Sequence, residues 1–403
     1  MSAGEENIKT AEQKSSSGDG DSGSAFAQLL SPLRLGPDLV IPNRVIMAPM
    51  TRGRSGANGM ASAIMAEYYA QRSSAGLIIS EGVHTSVLAR GWYRAPEIFT
   101  QEHSKSWKVV TDRVHEAGGR IFCQLWHCGR VSHSSFRDGV EGYDGEMKKG
   151  VAPSPIPHTG LNGKQSFTKL PEGEADIEVP RELTLEEIEA IPAEYKNCAE
   201  RAHAAGFDGV EIHSSNGFLL DTFLQSSTNH RKDEYGGSPE NRFRLVGKVL
   251  EAVCEVFPSH RVGIRISPNG AYNSMGSVDN HDAFLYYAKR IADMDLAYLH
   301  LTNGIGPPHT LGAMLSLDEL RSVYAGTIIA NSEYDAQSAE KEIETGRIDA
   351  VSFARLFISN PDLPERFAAK GSPLNDIAEY SVWWSTVENE LGAAGYTDFP
   401  KMK

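Results

Sequence analysis

The chain has 403 residues, a net charge of −14 and four cysteines. So acidic a chain is repelled by phosphate backbones, which argues against nucleic acid as a partner. It also lacks the run of about 18 apolar residues that a membrane helix needs. No two cysteines form a C-x-x-C pair, and the spacing of Cys123, His127, Cys128 and His133 fits no usual zinc pattern, so no metal is expected. Free thiols in a reducing compartment are the better reading. Residues 1–24 are rich in Ser, Gly, Glu and Asp and have no apolar signal core. They read as a disordered tail on a cytoplasmic protein.

Residues 25–403 read as one domain. Residues 29–40 hold two short extended pieces about the Gly36-Pro37-Asp38 turn, a hairpin expected to cover the floor of a barrel. Strands are expected at 44–48, 77–80, 120–124, 208–212, 261–266, 298–301, 327–330 and 350–353, each short and apolar as buried parallel strands are. Helices are expected at 63–74, 103–117, 184–205, 240–256, 281–294, 316–323, 335–345 and 361–369. Gly118-Gly119 stops the second helix, and Thr184 with Glu187 forms a capping box for the third. Eight strand–helix units in alternation predict an α/β fold, a closed parallel (β/α)8 TIM barrel. Residues 131–180 leave this pattern. They are rich in Pro, Gly and Ser and too long for an ordinary loop, so they read as an insertion after the third strand that caps the mouth and holds a short hairpin. The tail carries Tyr380, Trp383 and Trp384, then a short helix before Gly392.

Active sites of such barrels gather at the C-terminal ends of the strands. In chain order those ends supply Pro49, Met50 and Thr51, then Gly82, then Gln124 and Trp126, then His213 and Asn216. Arg265, Ala330 with Asn331, and Ala354 with Arg355 complete the set. His213 and Asn216 can aim an imidazole N–H and an amide N–H at one oxygen, a carbonyl or a phenolate. Alone, His-x-x-Asn more often means a buried structural His beside a turn cap, and Arg265 and Arg355 alone are as readily structural ion pairs. No Lys stands at a strand exit, which argues against a Schiff-base aldolase on the same barrel.

Five segments occur in a telling order: Met47-Ala48-Pro49-Met50-Thr51-Arg52, Gln124-Leu125-Trp126-His127-Cys128-Gly129-Arg130, His213-Ser214-Ser215-Asn216-Gly217-Phe218, Gly263-Ile264-Arg265-Ile266-Ser267-Pro268, and Phe353-Ala354-Arg355-Leu356-Phe357-Ile358-Ser359-Asn360-Pro361. With them the chain resembles the old yellow enzyme family of FMN-dependent ene-reductases over residues 29–400. The resemblance implies a non-covalent FMN and NADPH or NADH as hydride donor, in ping-pong turnover. Thr51 would meet the flavin carbonyl beside its reactive nitrogen, Gln124 the pyrimidine edge, and Arg265 the N1–C2 region. Asn331, Ala354 and Arg355 would hold the phosphate. Pro49, Met50, Gly82, His213 and Ala330 complete the cofactor set. An enone or enal would place its oxygen between His213 and Asn216, against an aromatic wall of Trp126, Phe218 and Trp383. The enzyme would act on this small molecule as a monomer or homodimer.

Two departures stand out. Ala330 and Ala354 replace residues that are often Gly in the family, and Phe218 replaces a Tyr that gives the proton to the substrate carbon. A phenyl ring has no acidic proton. Three outcomes are open: net reduction with another proton source, double-bond isomerisation in which hydride is delivered and recovered, or ligand binding with little turnover.

Overall fold

In the computed structural model, residues 26–56, 58–158, 167–170, 173–302, 308, 311–369, 372–384 and 392–402 are described. The tail expected at 1–24 and most of the helix expected before Gly392 lie outside them. Eight parallel strands close into a barrel: β1 (Val45–Met47), β2 (Leu77–His84), β3 (Ile121–Trp126), β4 (Gly209–Ser214), β5 (Val262–Ile266), β6 (Tyr298–Thr302), β7 (Ile328–Asn331) and β8 (Ala350–Phe353). Helices stand between the strands, with their starts set by local chemistry. Thr184 Oγ1 accepts from Glu187 N, and the Glu187 carboxylate accepts from Thr184 N at 2.9 Å, which closes the expected capping box of Leu185–Ala204. Pro239 after the Ser238 cap starts Pro239–Cys254 in the same spirit. No helix of the described residues is long and apolar enough to cross a membrane.

The N-terminal hairpin forms from Leu33–Arg34 and Val40–Ile41. Its Leu35, Leu39 and Ile41 pack with Ile46, Leu77, Ile79, Phe122 and Tyr298, which fills the barrel floor. Burial of each such aliphatic side chain contributes roughly 1.5–3 kcal/mol. One end of the barrel is thereby sealed, and the chemistry is left to the other.

Three strands run two or more residues further than the sequence indicates. β2 continues through Glu81 and Gly82 to His84, with a register shift between Ile79 and Gly82, so Gly82 lies inside a strand and not on an exit loop. β3 continues past Gln124 to Trp126, and β4 past Ile212 to Ser214. Polar residues inside these strands masked their continuation. Inside a barrel such residues are tolerated where they hydrogen-bond one another. The stretch 131–180 contains two 3-10 turns, the strand Val151–Ala152 paired with Arg181–Glu182, and a hairpin of Phe167–Leu170 with Gly173–Asp176. Ala354 caps a short helix, Arg355–Ser359, ahead of Leu363–Ala368.

Candidate active site

A buried polar layer lies above the apolar floor. Glu211, His300 and Ser352 come from β4, β6 and β8, while Gln124, Arg265 and Asn331 come from β3, β5 and β7. Alternate strands thus fill successive layers, as in other barrels of this type. Gln124 Nε2 donates to Glu211 Oε1 at 2.7 Å, and His300 Nδ1 lies 2.8 Å from Glu211 Oε2. His300 Nε2 lies 2.8 Å from Ser352 Oγ. Arg265 Nη2 donates to Asn331 Oδ1 at 2.9 Å, and Asn331 Nδ2 donates to the Ser352 carbonyl at 2.8 Å. Both branches therefore end on Ser352. Glu211 is fully buried, yet His300, Arg265 and Gln124 hold its carboxyl below the usual range against the cost of desolvation. The layer carries a carboxylate and a guanidinium out of reach of bulk solvent, which is costly unless every member is satisfied. Among these atoms Arg265 Nε remains buried without a partner.

β4 ends at the turn that presents Asn216. Asn216 and Gly217 both have left-handed backbone, φ 59° and 78°. Asn tolerates that region better than most residues, and Gly adopts it freely. Three contacts fix the turn: Asn216 N donates to Ser267 Oγ, Asn273 Nδ2 to the Asn216 carbonyl, and Gly217 N to Asp221 Oδ2, each at 2.8 Å. The Asn216 Oδ1 is buried with no partner among the described residues. His213 Nδ1 lies 3.1 Å from Ser215 Oγ. Burial, then the neighbouring Arg265 and His300, push the His213 imidazole well below its ordinary pKa, so it is neutral. A Ser215 hydroxyl that donates to Nδ1 would leave the proton of the neutral ring on Nε2, as a donor.

Phe218 stands edge-on to two rings, His213 and Trp126, with centroids 4.9 Å away in each case. On its other side Trp126 stacks on His84 at 5.1 Å. Gly82 makes room for this indole, since a Cβ there would lie 2.4 Å from Trp126 Cε3. Gly82→Ala is therefore expected to push Trp126 aside at a cost of about 1–3 kcal/mol. The change would be read as a lower Tm together with altered near-ultraviolet circular dichroism, and an unchanged spectrum would contradict it.

Thr51 begins a loop anchored from β2. The Glu81 carboxylate accepts from Arg52 N and Gly53 N at 3.1 Å and from the Tyr69 hydroxyl at 3.3 Å. Burial raises the Glu81 pKa to about 7. The Arg52 guanidinium reaches the tail, donating to the Val382, Trp383 and Gly395 carbonyls. Pro49, Met50 and Thr51 are half-buried. Ala330 is buried inside β7, and Arg355 is exposed, with no ion-pair partner among the described residues.

Trp383 turns toward its own segment. Its Nε1 donates to the Ala378 carbonyl at 2.8 Å and its ring meets Tyr380 at 5.1 Å. Trp384 instead meets Trp92 at 5.7 Å, and Trp92 and Phe218 both pack on the cluster of Ala95, Trp126 and Cys128. Sequence reasoning did not find Trp92, Trp384, His84, Glu211 or His300. Two of these, Glu211 and His300, carried a signal, a charged or polar residue between apolar neighbours in a short strand (Val210-Glu211-Ile212, Leu299-His300-Leu301).

Residues 28–375 match the family described as NADH:flavin oxidoreductase / NADH oxidase. 12-Oxophytodienoate reductase 2 of Arabidopsis thaliana is 35% identical over 382 residues, covering 93% of this chain and 96% of that protein. A protein of Leishmania infantum named "Probable flavin mononucleotide-dependent alkene reductase" is 36% identical, covering 93% and 97%. The solved structure of morphinone reductase superposes with a TM-score of 0.83 at 38% identity, covering 94% of this chain and 98% of that one.

Proposed function

Because the chain belongs to the NADH:flavin oxidoreductase / NADH oxidase family, we propose that its strand-exit face holds FMN and an activated alkene in succession. The protein is an FMN-dependent oxidoreductase of the old yellow enzyme type that takes hydride from a nicotinamide and reduces activated C=C bonds. The atoms left unsatisfied in the polar layer suit such a cofactor. Gln124 has its Nε2 committed to Glu211, which fixes the amide and leaves Oε1 and the second N–H for a pyrimidine edge. Arg265 Nε is buried and unpaired, as expected of a cation waiting for a partner that becomes anionic on reduction. Arg355, exposed at the start of Arg355–Ser359 and after β8, suits a phosphate, with Asn331 and the Ala354 backbone beside it. Thr51, Pro49, Met50, Gly82 and Ala330 would frame the ring.

When bound, the flavin would accept hydride from the nicotinamide and return it to the substrate's β-carbon. The protein's own part is electrostatic. His213 Nε2–H and the Asn216 amide donate to the substrate oxygen, where charge develops as hydride arrives. Trp126, Phe218 and Trp92 exclude water from that oxygen and hold the alkene flat. The observation that carries this reading is a neutral His213 at the end of β4 and, on the braced turn three residues later, Asn216, whose Nδ2 is engaged by no other described residue. All four cysteines are free and three are buried, which agrees with the reducing cytoplasm as the working compartment. The enzyme would act as a monomer or homodimer.

No Cys–flavin or His–flavin link is proposed, so the cofactor is expected to leave with unfolding. Denaturing the yellow protein and chromatographing the supernatant should release FMN in equimolar amount. Release of FAD, or failure to take up FMN on reconstitution, would contradict this reading.

A further inference from the structure

Among the described residues, nothing holds the Asn216 side chain directly. Its Oδ1 is buried without a partner, and no described residue hydrogen-bonds its Nδ2. The aim of that amide is therefore set by the backbone beneath it, which lies in the left-handed region at φ 59°. A residue other than glycine stays there only where its surroundings over-determine it. Those surroundings converge on one fully buried carboxylate, Asp221, in the short helix Leu219–Leu224 that follows the turn. Phe218 occupies the N-cap of that helix and offers no side-chain acceptor, so Asp221 serves the turn from inside.

Asp221 Oδ2 accepts from Gly217 N at 2.8 Å and from the Ser267 hydroxyl at 3.4 Å. Ser267, just past β5, in turn accepts from Asn216 N at 2.8 Å. The direction of the hydroxyl follows. The amide takes a lone pair of Oγ, and the hydroxyl proton is left for the carboxylate. Asp221 Oδ1 accepts from Gln225 Nε2 at 3.0 Å. That amide cannot turn round, because Gln225 Oε1 already accepts from Gly276 N at 2.8 Å and from Asn280 Nδ2 at 3.1 Å. All hydrogen-bond partners of Asp221 among the described residues are thus donors, and Arg130 adds a positive charge nearby. Burial pushes the Asp221 pKa up to about 6, and the donors with Arg130 keep it an anion at neutral pH. Two successive amides, Asn216 N and Gly217 N, are in this way held from one point, the first of them through a residue of the neighbouring strand's exit.

We propose that Asp221 is a positioning residue for ene-reduction, acting through Ser267 on the backbone of Asn216 so that the Asn216 amide meets the substrate oxygen. The proposal rests on the reading of His213 and Asn216 as the donors to that oxygen. Asp221 is fully buried and acts only through the turn. Without its carboxylate the Ser267 hydroxyl is free to rotate and Gly217 N loses its acceptor. The left-handed residue then relaxes, and Nδ2 no longer points its N–H at the oxygen.

The test is a set of double-mutant cycles in the FMN-loaded enzyme, read by the affinity for para-chlorophenol and by its charge-transfer band. Asp221→Ala is expected to weaken phenol binding on the order of tenfold and to shift the band. The loss should be smaller than that of Asn216→Ala, because a misaimed donor keeps part of its hydrogen bond. In the Asn216→Ala background the same substitution should change affinity by less than about twofold, since no amide is left to aim. In the His213→Ala background the loss should persist in full. Ser267→Ala interrupts the path one step later and should repeat this pattern, which covers an Asp221→Ala protein that fails to fold. A defect general to the fold would lower affinity alike in every background, and that result would overturn the proposal, as would parent-like affinity in either folded variant. Phenol binding in Asn216→Ala equal to that of the parent would instead count against the function proposed above.

Discussion

Replacing His213 and Asn216 together by alanine is expected to weaken binding of a para-substituted phenol by about 10²–10⁴-fold and to abolish its long-wavelength charge-transfer band with the flavin. The magnitude comes from two hydrogen bonds to a charged oxygen, each worth roughly 1.5–3 kcal/mol, or about 3–6 kcal/mol together. Both donors would face one oxygen because β4 delivers His213 and the left-handed Asn216 comes three residues later. The pH dependence is also fixed. His213 titrates well below its ordinary range because burial disfavours the imidazolium, so the number of donors stays constant from about pH 6 upward. The ligand binds as phenolate and releases a proton. Affinity should therefore rise about tenfold per pH unit until the free phenol's own pKa is reached, then level off. Spectrophotometric titration across pH measures both effects. An unchanged band in the double variant would place the ligand oxygen elsewhere.

The second large effect lies in the polar layer. Glu211→Ala removes the acceptor of Gln124 Nε2 and the partner of His300 Nδ1, and it leaves Arg265 without its nearby carboxylate. Loss of one partner from a buried charged network costs about 3–5 kcal/mol. In a chain of this length that corresponds to a fall in Tm of roughly 5 °C, because the unfolding entropy scales with size. Glu211→Gln keeps the shape and one acceptor and should lose less. Both variants should raise the flavin reduction potential, since an unopposed Arg265 cation favours the anionic reduced ring. Thermal unfolding and a potentiometric titration separate stability from tuning. A stable Glu211→Ala protein with an unshifted potential would show that the layer does not sense the cofactor.

The barrel was legible in the sequence because its strands are short apolar runs spaced by helical stretches with clear caps. The Thr184–Glu187 capping box is one such signal. The strand ends were less legible. Glu81 and Gly82 look like loop residues by composition, yet they belong to β2 because the barrel interior satisfies or accommodates them, and β3 runs on past Gln124 to Trp126. Among the site residues, His213, Asn216, Gln124 and Arg265 stand on adjoining strands or the turn after them, and the structure adds what a linear pattern cannot hold. That Glu211 orients Gln124, and that Asn273 braces Asn216, are contacts 87 and 57 residues apart. The aromatic wall is the clearest example. Trp383 and Trp384 are indistinguishable in sequence, and only the direction of each indole separates the ring that bonds its own segment from the one that meets Trp92.

The most direct measurement of ene-reduction at this site is a single turnover without oxygen. The holoenzyme is reduced with one equivalent of NADPH, then mixed with 2-cyclohexenone while flavin absorbance and product are followed together. The yellow colour is expected to return and one equivalent of cyclohexanone to form, with both slowed in parallel in the His213→Ala/Asn216→Ala variant. A flavin that stays reduced in the parent protein, or that reoxidises without cyclohexanone, would contradict this.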